Sequence, residues 1–343
     1  MLGDGGLWIS PTTDGGYIVS ATLGTGFPLG DEIYLLKLDA LGDTAWTRIF
    51  SGPNQDYGEQ VIQTNDGGYI IAGRTYASYT PESADAWVIR TDSNGDTLWT
   101  KKYGGTDEDI FNCVAETDDG FIFAGLTSSF GPGYYAVYAV RTNEDGDTIW
   151  TRTYGGGEAD LCERIIRTPE GNFVLSGYST SFSESNDVYI LEIDISGNLI
   201  WESSYGMSDG YETVYGSCAT SEGGFLITGK TNYYYALKDE LFVLKLGSGT
   251  GFPDNTQGIP SFKIAPNPFT SSTTIYLDCT NNEPVTIQVF DLFGHLLADL
   301  LKNKPVTGHM EIVWDSDGLP QGVYCCKVEI GKDQYISKLI KSE

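Results

Sequence analysis

A unit of about 52 residues recurs five times between the first residue and about residue 247, and that periodicity constrains the fold more than any other property of the chain. An aromatic after an acidic-glycine turn marks each copy: Asp14-Gly15-Gly16-Tyr17, Asp66-Gly67-Gly68-Tyr69, Asp119-Gly120-Phe121, Glu170-Gly171-Asn172-Phe173 and Glu222-Gly223-Gly224-Phe225. Successive aromatics stand 52 residues apart at every step. Gly73, Gly125, Gly177 and Gly229 keep the same spacing, each followed two residues later by Thr75, Thr127, Ser179 or Thr231. Trp46, Trp99, Trp150 and Trp201 form a third series. A ligand-binding residue has no reason to recur in every copy. These repeated positions are therefore read as structural, and function is to be sought where the copies differ.

Alternation and turn chemistry divide one period into four short strands. In the second copy, strand a covers about 58–65, b about 69–75, c about 85–92 and d about 96–103. Asn-Asp-Gly-Gly and Ser-Asn-Gly segments supply the positive-φ positions that tight hairpins need. Strand b (Tyr-Ile-Ile-Ala-Gly) is almost uncharged and should be packed on both faces. Strand d, ending in Thr-Lys-Lys-Tyr or Thr-Arg-Thr-Tyr, should be outermost. A four-stranded antiparallel unit of this length matches the blade of a β-propeller. The expected fold class is all-β: a β-propeller of at least five four-stranded blades over 1–247, then a small C-terminal β-sandwich. The aromatics of strands b and d are expected to bind one blade to the next. Met1 falls just after the place of a strand d, and the fifth copy ends after strand c at Leu246. The reading expects an N-terminally incomplete frame, with the missing strand and a signal peptide upstream.

Composition removes several function classes. With 20 Lys+Arg against 47 Asp+Glu, the net charge of −27 disfavours nucleic acid and anionic membrane surfaces. No apolar run is long enough to cross a bilayer as a helix. Both histidines, His295 and His309, lie near the C-terminus, so Ser-His-Asp hydrolysis and His-bound metal chemistry are excluded from the repeat region. Cys113, Cys162 and Cys218 stand 8, 11 and 7 residues before their marker aromatics and so form no repeated framework. Cys279 and one of Cys325 or Cys326 are the candidate pair in the tail.

A Gly/Ser-rich linker covers 248–258, and beyond it charge falls from 13 basic and 37 acidic residues in 1–258 to 7 and 10 in 259–343. Strand alternation continues at 273–277, 285–290, 311–314, 323–330 and 335–341. Ordered blocks run through this tail: Phe262-Lys263-Ile264-Ala265-Pro266-Asn267-Pro268-Phe269, Val289-Phe290-Asp291-Leu292-Phe293-Gly294, Gly308-His309, Trp314-Asp315, Leu319-Pro320-Gln321-Gly322-Val323-Tyr324 and Lys338-Leu339-Ile340-Lys341. On these blocks, 259–343 resembles the type A C-terminal sorting domain of type IX secretion cargo, with Pro266, Asn267, Pro268, Asp291, Gly294, Gly322, Tyr324 and Lys338 as its motif residues. The resemblance implies a seven-stranded sandwich recognised by the type IX secretion machinery of Bacteroidetes and related bacteria. It further implies removal of the tail during export and a passenger that is extracellular or held at the outer-membrane surface. The repeats are similar to the Asp-Gly-Gly-Tyr-Ile propeller arrays often joined to that domain, which speaks to fold and not to activity.

Loops a-b and c-d are short repeated hairpins, whereas loops b-c and d-a vary and should emerge together on one face. The b-c loops offer Phe27, Tyr76, Tyr79, Phe130, Tyr134, Tyr135, Phe182, Tyr233, Tyr234 and Tyr235, rings suited to stacking on sugars or contacting protein, or to sealing gaps between blades. The d-a loops offer Asp56, Asp109 and Asp160, with Asp4, Asp107, Asp209 and Glu212, which could ring the axis and hold Ca²⁺ or instead bind loop amides. The resulting expectation is a surface or secreted binding or adhesion protein engaging a glycan, polymer or protein through this face. The alternative is a polysaccharide-acting hydrolase or lyase using carboxylates.

Overall fold

A computed structural model describes residues 5–24, 30–52, 54–76, 84–182, 185–206, 210–220, 224–233, 240–246, 261–267, 269–291, 295–331 and 333–341. The chain forms two compact units, Met1–Gly251 and Phe252–Glu343. In the first, blade 1 comprises β1 (Gly5–Pro11), β2 (Tyr17–Gly24), β3 (Asp31–Leu38) and β4 (Thr44–Phe50). Blade 2 comprises β5 (Asp56–Gln63), β6 (Tyr69–Tyr76), β7 (Ala84–Thr91) and β8 (Thr97–Tyr103). Blade 3 is β9 (Asp109–Glu116), β10 (Gly120–Thr127), β11 (Ala136–Asn143) and β12 (Thr148–Tyr154). Blade 4 is β13 (Asp160–Arg167), β14 (Phe173–Ser179), β15 (Asp187–Ile193) and β16 (Leu199–Tyr205). Blade 5 has β17 (Gly210–Ala219), β18 (Phe225–Tyr233) and β19 (Glu240–Leu246), with no fourth strand among the described residues. Every blade is an antiparallel meander in chain order, and the spacing-based strand limits hold to within two residues in the second copy.

The period of two along strand b builds the array. Ile71 joins the core shared by blades 1 and 2, with Ile18, Ile33, Leu35 and Val61, whereas its neighbour Ile70 faces the core shared with blade 3. The central strands of blades 2, 3 and 4 each feed two inter-blade cores, which is why they are almost uncharged. Burying each such Ile or Leu contributes roughly 1.5–3 kcal/mol. Outer strand β8 alternates exposed and half-buried residues, so d is the solvent edge.

The strand-d tryptophans lock neighbouring blades, as expected. Trp46 packs edge-on against Tyr69 of blade 2 at 5.6 Å. Trp99 donates to Glu144 O at 3.2 Å and Trp150 to Ile195 O at 3.0 Å, each reaching the c-d turn of the following blade. Tyr103 and Tyr154 hydroxyls add bonds to Gly146 O and Gly197 O at 2.7 and 2.8 Å. Trp201 of blade 4 donates to Glu192 of its own blade. The repeated turn acids are structural too. Asp66 accepts from Thr64 Oγ1, Gly68 N and Arg90, bonds that together outweigh partial burial and hold its carboxyl at about 2. Asp14 with Lys37 and Asp119 with Arg141 repeat the ion pair.

Leu7 and Ile9 of the first blade remain 42% and 56% exposed, and Leu241 and Val243 of the last are more exposed still. The outer faces of the terminal blades are thus not packed on one another. A shallow groove bordered by Gly6, Leu7, Trp8, Ile9 and Val19 lies on the first of these faces.

The second unit is one curled sheet of β20 (Ser261–Ala265), β21 (Ser272–Phe290), β22 (Leu296–Asp315), β23 (Gly322–Ile330) and β24 (Asp333–Lys341). The segments expected at 273–277 and 285–290 are two halves of β21. Its register against β22 breaks between Cys279 and Glu283, and the strand serves β20 with its first half and β23 with its second. Both halves enter one core containing Ile275, Leu277, Val285, Ile287, Val289, Trp314, Tyr324 and Leu339. Two long bent strands thus do the work of four in the seven-stranded arrangement, pairing on both sides of the irregular bend.

Candidate binding face

The aspartates expected around the axis begin the innermost strands, and none of the three is exposed. Asp109 Oδ2 accepts from Gly105 N and Ser129 Oγ, both at 2.7 Å. Asp160 Oδ2 accepts from Gly156 N and Ser181 Oγ at 2.7 Å, and its other oxygen accepts from Ser179 Oγ. Asp56 accepts from Gly52 N, and burial pushes its carboxyl upward. Glu212 repeats the theme in blade 5, where Thr231 Oγ1 donates at 2.6 Å. Asp56, Asp109 and Asp160 each hold a d-a loop amide, and in blades 4 and 5 the acid also accepts from the repeated Ser179 or Thr231 two residues after the strand-b glycine. Among the described residues no three His, Cys, Asp or Glu side chains come together as a metal site. Asp4 and Asp209 lie outside the described residues, and Asp107 is exposed.

The rim aromatics differ among themselves. Tyr134 is 72% exposed and meets Tyr135 edge-on at 4.6 Å. The Tyr135 hydroxyl donates to Glu108 Oε2 at 2.7 Å, a bond that, with burial, drives its phenol pKa upward and fixes the ring. Phe130 and Phe182 lean on Tyr138 and Tyr189 at 5.9 and 5.2 Å, keeping their outer edges in solvent. Tyr76 is half-buried, 6.2 Å from Tyr57. Phe27, Tyr79, Tyr234 and Tyr235 lie outside the described residues. Tyr233 ends β18 opposite Gly210, and its side chain is likewise outside them.

A second group at this face was missed in the sequence. Every innermost strand carries a β-bulge, the extra residues being Leu7, Glu59, Asn112, Glu163 and Tyr215. Bulges re-aim side chains, and these vary from apolar to acidic. Glu59 pairs with Arg74 at 2.5 Å, and the Arg74 guanidinium stacks over Tyr57 at 4.5 Å. Tyr57 donates to Asp31 at 2.7 Å, and burial together with that carboxylate pushes its phenol up to about 12. Arg164, next to the blade-4 bulge, stacks over Trp8 of blade 1 at 4.7 Å and donates to Tyr215 O of blade 5 at 3.0 Å. The array is curled enough for blades 1, 4 and 5 to meet near its axis. Burial pushes Glu163 up to about 7; Arg164 and Arg74 oppose the shift and Glu59 adds to it. The signal that would have found this group is divergence at one register position of strand a, once the shorter a-b turn of the third copy is allowed for.

The motif residues of the tail occupy its turns and core. Pro266 O accepts from Thr273 Oγ1 at 2.6 Å, and Asn267 is exposed. Asp291 caps its turn by accepting from His295 N at 2.9 Å. Gly322 takes φ of 153° at the start of β23, and Tyr324 packs against Trp314 at 5.7 Å. Lys338 pairs in register with Cys325; its side chain, Pro268 and Gly294 are outside the described residues.

Residues 263–342 match the family described as the secretion system C-terminal sorting domain. Regulatory protein FlaEY of Caulobacter vibrioides is 23% identical over 249 residues, 64% of this chain and 25% of that protein. The chain thus spans about a quarter of the length of that relative. The β-propeller domain of the Trilobed protease from Pyrococcus furiosus, described as having an open velcro topology, aligns with a TM-score of 0.40 at 12% identity, covering 99% of this chain and 96% of that one. PorZ, a surface component of the type IX secretion system of Porphyromonas gingivalis, aligns with a TM-score of 0.27 at 10% identity, covering 96% and 69%. A tail of this family implies export by the type IX machinery to the outer surface or beyond. With five meander sheets packed in succession ahead of that tail, the chain is a β-propeller-type blade array carrying a type IX secretion C-terminal sorting domain.

Proposed function

We propose that the exported blade array is a recognition module, and that the face carrying loops b-c and d-a engages a neutral glycan polymer. The observation behind this reading is the Tyr134–Tyr135 pair, one ring exposed and the other anchored through Glu108. A fixed aromatic edge beside a free aromatic face is suited to stacking on a sugar ring. The strongly acidic chain argues against a polyanionic ligand. The test is affinity electrophoresis and calorimetry against soluble neutral polysaccharides. Tyr134→Ala should weaken binding at least about tenfold, and Tyr134→Trp should retain it. Unchanged affinity in Tyr134→Ala would place the ligand elsewhere.

Glu163 favours a second reading. A glutamate held near neutrality beside Glu59 has the protonation behaviour of a general acid in glycoside cleavage. Release of reducing ends by the unsubstituted chain, abolished in Glu163→Gln, would replace the binding reading with this one.

A further inference from the structure

The interface between blades 3 and 4 brings two thiols into contact. Cys113 of β9 and Cys162 of β13 are buried in one shared core, and their Sγ atoms stand 3.7 Å apart, 49 residues apart in sequence. Asn112 Nδ2 donates to Cys162 O at 2.8 Å, tying the two innermost strands together beside the sulfurs. Offsets counted from the marker aromatics conceal this pairing. The turn at 117–120 is one residue shorter than its counterparts, so Cys113 occupies the position just after the bulge and Cys162 the position just before it. The same two positions hold Trp8 and Gly58 between blades 1 and 2, Gln60 and Phe111 between blades 2 and 3, and Arg164 and Val214 between blades 4 and 5. Only between blades 3 and 4 do both carry sulfur.

We propose that Cys113 and Cys162 form an inter-blade disulfide in the exported protein. Sulfurs in van der Waals contact need only rotation about their Cα–Cβ bonds and a small closure to reach a bond length of about 2 Å. A chain carrying this sorting tail is destined for the cell exterior, an oxidising setting in which structural disulfides persist, in contrast to the reducing cytosol. One cysteine thiolate attacks an exogenous disulfide oxidant, releasing one thiol and leaving a mixed disulfide; the second thiolate then displaces the other half as a second thiol. The oxidant thereby takes up both electrons and both protons. Burial, reinforced by Cys162, holds Cys113 strongly in its thiol form within the packed interface. Exchange therefore occurs while blades 3 and 4 are still separate, and docking then shields the bond. In a blade array each unit leans on its neighbours, so a covalent tie here joins the first three blades to the last two.

The experiment refolds the full chain with oxidised and reduced glutathione, alkylates free thiols in denaturant, digests with trypsin without reduction and maps the peptides by mass. Peptide 103–141 should be found linked to 153–164 at about 2 Da below the sum of the free peptides, and the species should vanish on reduction. The same linked species is expected in chain recovered from outside secreting cells. Recovery of both peptides in alkylated form, or linkage of either cysteine to a different one, would overturn the proposal. As a second measurement, reductant should lower the melting midpoint of the unsubstituted chain by several degrees but leave Cys113→Ser unmoved. Equal sensitivity of the two chains would remove any stapling role.

Discussion

Glu163 shows how a single position carries information that the repeat hides. An ordinary glutamate titrates near 4.5, whereas this one is pushed up to about 7. The folded state therefore holds a proton that the unfolded state has released. Its stabilising contribution is complete below about pH 4.5 and is lost as pH rises through about 7. With the side chain still 26% exposed, the effect is of order 2 kcal/mol. Glu163→Gln should flatten the fall in stability between pH 5 and 8, measured as denaturation midpoints across that range. Asp160 acts differently, because it accepts from three donors, Gly156 N, Ser179 Oγ at the end of β14 and Ser181 Oγ. Asp160→Ala leaves these donors, of which the Ser179 hydroxyl is buried, without their acceptor and should cost about 2 kcal/mol in denaturant unfolding. The aspartates were legible in the sequence as a recurring feature. Binding of loop amides was one of the two readings open in the sequence; which hydroxyls also donate, Ser129 to Asp109 and Ser179 and Ser181 to Asp160, is set by the fold.

At the scale of the element, the c-d turn does more than reverse the chain. Gly146 adopts φ of +75°, and a Cβ added there would meet the Trp99 ring of the preceding blade at 2.8 Å. Gly146→Ala combines backbone strain with displacement of an inter-blade lock, and should destabilise by about 2 kcal/mol, read from thermal melting. Gly171→Ala, also at positive φ but with nothing near its Cβ, should cost about 1 kcal/mol and separates the two effects. The glycine itself was readable from Asn/Asp-Gly turn chemistry. Its second role, as a seat for another blade's indole, requires the neighbouring sheet to be in place. The β-bulges belong to the same category: each adds one residue to an inner strand and so re-aims the side chains around it.

For the whole molecule, the tail and the blades have separate cores and separate tasks. A reporter with a secretory leader, fused to 259–343 and expressed in a type IX-competent host, should reach the surface or the medium; without the tail it should stay periplasmic. Cell fractionation and immunoblotting decide between these outcomes. Leu7 and Ile9 of blade 1 and Leu241 and Val243 of blade 5 are exposed, in contrast to the strand-b residues shared between blades. A 52-residue period defines what each blade offers its neighbour.

The amino-acid sequence by itself determined the blades, their order, the doubly packed central strand and the exported tail. All of these follow from local periodicity, turn chemistry and contiguous motifs. Only the tertiary structure decided which residues from different blades meet: Arg164 over Trp8, Glu163 near Glu59, and Cys113 against Cys162. The physical reason is that inter-blade register depends on bulges and on one shortened turn. A one-residue change there alters which side chain faces the next sheet while leaving the hydrophobic pattern of the repeat intact.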